Sequence, residues 1–174
     1  AINYDTTEYD NSSGPVAHGA ITAYEAGASG ADITVGIIDT GIALNNAEFT
    51  GRISSASATF NGEASVQDVD GHGTAVATVL AGARNNQKTL GMAWGATIMA
   101  LRTDDLSDCD ADGCTHSTLA IRQALNHAVS NGASVVNISL GGDGADQGLI
   151  NAVNQATAAG VIIVISAGND SAAA

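Results

Sequence analysis

Apolar residues in this chain fall into short unbroken runs separated by longer segments of helical spacing. ITVGIID (33–39), ATIMALR (96–102), ASVVNISL (133–140) and VIIVIS (161–166) are rich in β-branched residues without polar alternation. That is the pattern of parallel strands covered on both faces. Between them, HGTAVATVLAGAR predicts a helix that opens at His72 and ends near Gly82. STLAIRQALNHAVSNG has apolar residues at 119, 121, 125, 128 and 129 and stops at Asn131-Gly132, while GLINAVNQATAAG ends at Gly160, so both are expected to be helices. VAHGAITAYEAGA (16–28) has roughly helical spacing and predicts a first helix. The stretch from Asn45 to Val69 has no sustained period and predicts loop or short irregular strand.

Strand followed by helix, repeated, predicts an α/β fold with a mostly parallel sheet and helices on both faces, as one domain or part of one over residues 1–174. No repeat, low-complexity tract or Pro-rich linker divides the chain, whose single proline is Pro15. Ligands of such sheets bind outside the carboxyl ends of the strands. Asp39, the segment from Ser139 to Gly142, and Asn169 all fall at such ends. VIIVI, apolar on both faces, suits the inside of a sheet with a neighbour on each side, yet only SAGNDSAAA follows, so the expectation for this chain alone is an open, aggregation-prone edge.

Composition narrows the function classes. With 45% hydrophobic but only 3% aromatic residues and 21 glycines, the core must come from Ala, Val, Ile and Leu in closely spaced layers. No apolar run is long enough to cross a membrane. A formal charge of −13 disfavours nucleic acid and anionic lipid as partners. It also suits plain solubility in a secreted protein, so it implies no substrate charge preference. The opening AINYDTTEYD has no charged-then-apolar leader, and the expectation is a start that follows a removed leader or pro-segment.

Cys109 and Cys114 close a loop short enough for a disulfide in an oxidising compartment; two thiols in a cytosolic loop are the alternative. Asp108, Asp110, Asp112 and Gly113 copy the first half of a calcium-binding D-x-D-x-D-G loop, but Leu119 stands where its final glutamate belongs. The expectation is a solvated acidic loop, with no metal ligands assigned. His18, His116 and His127 have no partner pattern and receive no role.

Chemistry-bearing residues follow in a fixed order: Asp39 in VGIIDTG, His72 in DGHGTAVATVLAG, and Asn169 in SAGND. Asp then His is two-thirds of an Asp-His-Ser constellation, and the order predicts a serine on a later helix. DTG alone also occurs in aspartic proteases. In order and spacing, however, VGIIDTGI, GHGTAVA, VVNISLGG and VIIVISAGND together resemble the subtilisin-like serine peptidases, the subtilases, from Ala17 to Asp170. TTEYDN with AYEAGASGADITVGIIDTGI also looks like the passenger domains of bacterial autotransporter subtilases.

The resemblance implies the N-terminal portion of a three-layer subtilisin-like domain in a secreted or cell-surface bacterial serine endopeptidase. It makes Asp39 the triad acid, His72 the general base and then acid, and Asn169 an oxyanion donor. Ser139, Leu140 and Gly141 would pair with an extended substrate backbone, and Gly142, Ala167 and Gly168 would wall the specificity pocket. It implies a peptide or protein substrate and no cofactor for catalysis, and it admits structural calcium with no ligands assigned. Two departures stand out. Ala75 replaces a common second histidine, and the Gly-Thr-Ser nucleophile motif is absent, the one Gly-Thr being Gly73-Thr74. The expectation is therefore a nucleophile beyond Ala174, on a C-terminal remainder that would be this chain's partner, and a chain inactive alone. A non-catalytic peptide-binding relative or inactive fragment is the alternative, and the joint retention of Asp39, His72 and Asn169 argues against a pure binding module. A nucleotide-binding reading of GGDG fails, because Gln147 stands where the third glycine belongs.

Overall fold

A computed structural model describes residues 2–110, 113–142 and 146–169. In chain order the elements are helices α1 (Thr7–Asp10), α2 (Ser13–Ala17) and α3 (Ile21–Glu25), strand β1 (Thr34–Asp39), a 3-10 turn (Ala47–Phe49) and strand β2 (Ala58–Thr59). Then come α4 (His72–Ala81), β3 (Thr97–Arg102), β4 (Asp104–Asp110), β5 (Gly113–His116), α5 (Thr118–Ser130), β6 (Val135–Ile138), α6 (Gln147–Ala158) and β7 (Ile162–Ile165). Five strands form a parallel sheet in the order β2-β3-β1-β6-β7.

The alternation of strand side chains sorts the core into two layers. Val35 and Ile37 of β1, with Ile98 and Ala100 of β3, pack with Ala77 and Ala81 of α4. Ile38, Met99, Leu101, Val136 and Ile138 point the other way, onto Ala124, Leu125 and Ala128 of α5 and Ala152 and Ala156 of α6. The architecture is thus three layers, with small helix residues letting the layers approach closely. Gly36 shows the fit: a Cβ there would lie 3.2 Å from Val136, 3.3 Å from Leu101 and 3.4 Å from Ala128. Local capping agrees with this layout. Ser117 accepts from the Ala120 N–H at the start of α5, and Asp146 accepts from the Leu149 N–H at the start of α6.

Two sequence expectations change. The helix expected over 16–28 is two short helices, because Gly19 takes φ +59° and stops α2 in a left-handed turn. The acidic cysteine loop is an antiparallel hairpin of β4 and β5, clipped by the Cys109–Cys114 disulfide. Asp108 and Asp110 lie in its exposed first strand, and Asp112 falls outside the described residues. The open edge expected at the last strand is present: β7 ends the sheet and pairs with β6 alone among the described residues. Ile162, Val164 and Ile165 there are 62%, 51% and 49% exposed, so the apolar run does not have the neighbours on both sides that its composition suits.

Candidate active site

The parallel sheet brings the carboxyl end of β1 against the start of α4. Asp39, last residue of β1, is fully buried, and its Oδ1 lies 2.7 Å from His72 Nδ1. A carboxylate can only accept, so Nδ1 carries the proton and the lone pair is on Nε2. The His72 side chain is 48% exposed, and Nε2 has no hydrogen-bond partner among the described residues, so the basic nitrogen is open to an incoming group. Thr40 N–H also donates to Asp39 Oδ1, at 2.8 Å. Asp39 Oδ2 has no partner among the described residues; a buried acceptor left open costs roughly 1–3 kcal/mol and is the sort of exception found at functional sites.

Two glycines permit this approach. A Cβ on Gly73 would overlap the Gly41 carbonyl oxygen and stand 3.1 Å from Asp39 Oδ1. Gly41 has φ +112°, and a Cβ on it would meet the Val66 carbonyl oxygen at 2.5 Å.

Around the pair lies a polar layer that pattern reading did not find. Arg102 of β3 is buried and forks onto Asp104, with Nε to Oδ1 at 2.7 Å and Nη2 to Oδ2 at 3.0 Å. The hydrogen bond to Asp104 raises the guanidinium pKa despite burial, so Arg102 stays charged. Its remaining nitrogen, Nη1, donates to the Ser65 and Gln67 carbonyls, holding the 65–68 loop beside β1. Asp68 in that loop hydrogen-bonds to Thr40 and Thr74.

His116, assigned no role by its sequence context, sits against the site. Its Nδ1 is 2.8 Å from Thr103 Oγ1, and Thr103 N–H donates to the Asp39 carbonyl at 3.0 Å. Thr103, Asp104, His116 and Ser117 help line an open cavity of about 310 Å³. Burial lowers the His116 pKa, and the nearby Asp39 and Asp104 carboxylates offset this only in part. Just below the imidazole's ordinary value of 6.5, the unfolded chain therefore holds a proton that the native chain does not. Stability should be full above that value and fall as pH drops through the window beneath it. The expected result is a thermal midpoint that declines from pH 7 to 5 in the parent and declines less steeply in His116→Asn; equal slopes would contradict the assignment.

The other expected site residues lie along the same edge of the sheet. Ser139, Leu140, Gly141 and Gly142 follow β6, and Ala167, Gly168 and Asn169 follow β7. The two segments are tied together, with Ser166 N–H donating to the Ile138 carbonyl at 3.1 Å and Ser166 Oγ to the Leu140 carbonyl at 2.5 Å. Asn137 Nδ2 donates to Ser139 Oγ at 2.8 Å. Asn169 is exposed two strands from Asp39, roughly 10 Å across the sheet at ordinary strand spacing. The structure thus joins Asp39 and His72 directly, and sets the remaining residues on neighbouring strand ends without a bond to that pair. Among the described residues no group of three or more His, Cys, Asp or Glu could hold a metal ion, and no helix is long and apolar enough to cross a membrane.

The class defined so far is a parallel α/β domain with a buried aspartate bonded to a helix-start histidine at the carboxyl end of its sheet. The family model described as the subtilase family matches residues 30–174, and this chain belongs to that family. An extracellular serine proteinase of Thermus sp. (strain Rt41A) is 39% identical over 145 residues, which cover 82% of this chain and 32% of the relative. Subtilisin DY of Bacillus licheniformis is 36% identical over 143 residues, covering 82% of this chain and 49% of the relative. The crystal structure of a cold adapted subtilisin-like serine proteinase superposes with a TM-score of 0.66 at 31% identity, covering 81% of this chain and 48% of the other. The fold is subtilisin-like, and the chain spans a third to a half of the length of these relatives.

Proposed function

We propose that this chain supplies the acid and the base of a secreted bacterial serine endopeptidase whose nucleophilic serine lies outside these 174 residues. The observation that carries the reading is the 2.7 Å bond from His72 Nδ1 to buried Asp39, which leaves Nε2 open. In the reaction, the serine Oγ attacks the scissile carbonyl of an extended peptide while His72 Nε2 takes its proton. Asp39 holds the ring and stabilises the imidazolium, which then protonates the leaving amine as the peptide C–N bond breaks. Water attacks the acyl-enzyme by the same route in reverse, returning the proton to serine.

The Asn169 side-chain amide would donate to the tetrahedral oxyanion. Ser139, Leu140 and Gly141 would receive the substrate backbone as an added strand, with Gly142, Ala167 and Gly168 shaping the adjoining pocket. The mechanism gives no catalytic step to a cofactor; any calcium would act on stability. This chain alone would lack turnover, and its acidic surface suits a protein substrate rather than nucleic acid.

The test is hydrolysis of extended peptides by the full polypeptide. Asn169→Ala should lower kcat by about 10²–10³ with KM little changed, the loss known for removal of the oxyanion donor in a subtilisin. Tight peptide binding without turnover, unaffected by Asn169→Ala, would instead indicate a binding module.

A further inference from the structure

We propose that Asp68 is a positioning residue for the Asp39–His72 pair, because its carboxylate ties the residue that follows Asp39 to the turn of helix that carries His72. Its Oδ1 accepts from Thr40 Oγ1 at 2.9 Å and from Gly71 N–H at 2.8 Å. Its Oδ2 accepts from Thr74 N–H at 2.8 Å and from Thr74 Oγ1 at 2.5 Å. Four donors fill the capacity of one ionised carboxylate.

The direction of each bond matters. Thr40 gives its hydroxyl proton to Asp68, so the same oxygen can accept Gly73 N–H, at 2.9 Å. Thr74 likewise gives its proton to Asp68 and accepts Ala43 N–H at 3.0 Å. Both flanks of the Asp39 loop are thereby bonded to the residues that follow His72. The first N–H groups of a helix have no partner within the helix, and Gly71 offers no side chain to cap them. Here Gly71 N–H and Thr74 N–H go to Asp68, Gly73 N–H to Thr40, and His72 N–H to Asp70 Oδ1 at 3.0 Å. Asp68 and Asp70 of the preceding loop, with Thr40 from the end of β1, therefore replace the missing N-cap side chain, and capping and positioning of His72 become one device.

The carboxylate is itself anchored. Asp68 N–H donates to the Ile42 carbonyl at 3.0 Å, and Arg102 holds the preceding Ser65 and Gln67 carbonyls. Burial would raise the Asp68 pKa, but the bonds from Thr74, Gly71 and Thr40 outweigh it and leave the group below the ordinary carboxylate range. An asparagine could not replace it, because its amide N–H groups would face donors on one side.

The catalytic consequence rests on the peptidase reading above; the geometric claim does not. In the full polypeptide, Asp68→Asn should lower kcat by about 10²-fold with KM changed by less than about threefold, the size expected for a small misplacement of a reacting group. The downfield proton resonance of His72 Nδ1–H should shift or vanish in the same variant, a signal that needs no turnover. Should Asp68→Asn not fold, Thr40→Val should give the same two effects in lesser degree, and Thr40→Ser, which keeps the hydroxyl, should restore both. Folded Asp68→Asn or Thr40→Val with unchanged kcat and an unchanged His72 resonance would overturn the proposal. If the unmutated polypeptide shows no turnover, the peptidase reading fails, and the resonance alone decides the role of Asp68.

Discussion

Replacing Asp39 by Asn in the full polypeptide should lower kcat on the order of 10⁴-fold while the protein folds normally, the size of loss known for this change in a trypsin-type triad and for loss of the triad aspartate in a subtilisin. Asp39 is fully buried, and Oδ1 takes both the His72 ring proton at 2.7 Å and the Thr40 N–H at 2.8 Å. An amide can accept at one oxygen but places an NH₂ at the other position, and it carries no charge to stabilise an imidazolium. If the amide turns its NH₂ toward the ring, His72 must present its other tautomer, and Nε2 is then protonated before the reaction begins. Loss of kcat with KM nearly unchanged, in a protein of normal near-UV circular dichroism, is the expected result. A loss below about tenfold would mean that the contact is structural only.

Gly73→Ala is expected to be the most damaging single methyl in the site. The new Cβ would overlap the Gly41 carbonyl oxygen and crowd Gly41 N at 3.0 Å and Asp39 Oδ1 at 3.1 Å, all on the strand side of the contact. Backbone cannot swing away as a flexible side chain can, so α4 must move off β1. Overpacking of this kind costs roughly 1–3 kcal/mol or more, which for a domain of this size corresponds to a fall in Tm of roughly 2–12 °C. The same shift lengthens the His72–Asp39 bond, so kcat should fall about 10²-fold as well. Ala75→Ser, on the exposed side of the same helix, should change stability by less than about 0.5 kcal/mol. Thermal melts of the three proteins check this, and Gly73→Ala melting with the parent would refute the close approach.

The parts of the site that could be read from sequence are those whose signal is local. Asp39 ends a short apolar run and His72 opens a helix, and a few flanking residues announce each. The four principal strands and the three longer helices are legible for the same reason, since period and β-branching act over a handful of residues. The bonds that join Asp68 to Thr40 and Arg102 to the 65–68 loop are not local. Thr40 and Asp68 are 28 positions apart, and Arg102 reaches back 37 positions to Ser65, so no window of sequence contains both partners.

The β4–β5 hairpin escaped for a different reason. Asp, Ser and Gly are poor strand formers, and pairing is imposed there by the disulfide and by the Asp104–His116 register. Once that hairpin folds back, His116 arrives beside Thr103, which explains how a histidine without a sequence pattern comes to lie against the site. At Gly19 the helical period of the apolar residues was real, but one left-handed glycine divided it.

The central claim is that His72, held by Asp39, activates a serine outside these 174 residues. The most direct measurement is labelling of the full polypeptide with a serine-directed fluorophosphonate, with the modified residue mapped by mass spectrometry in the parent and in His72→Ala. A single labelled serine beyond Ala174, with labelling slowed more than about 10³-fold in His72→Ala, is the predicted result. No labelled serine, or labelling at the parent rate in His72→Ala, would contradict it.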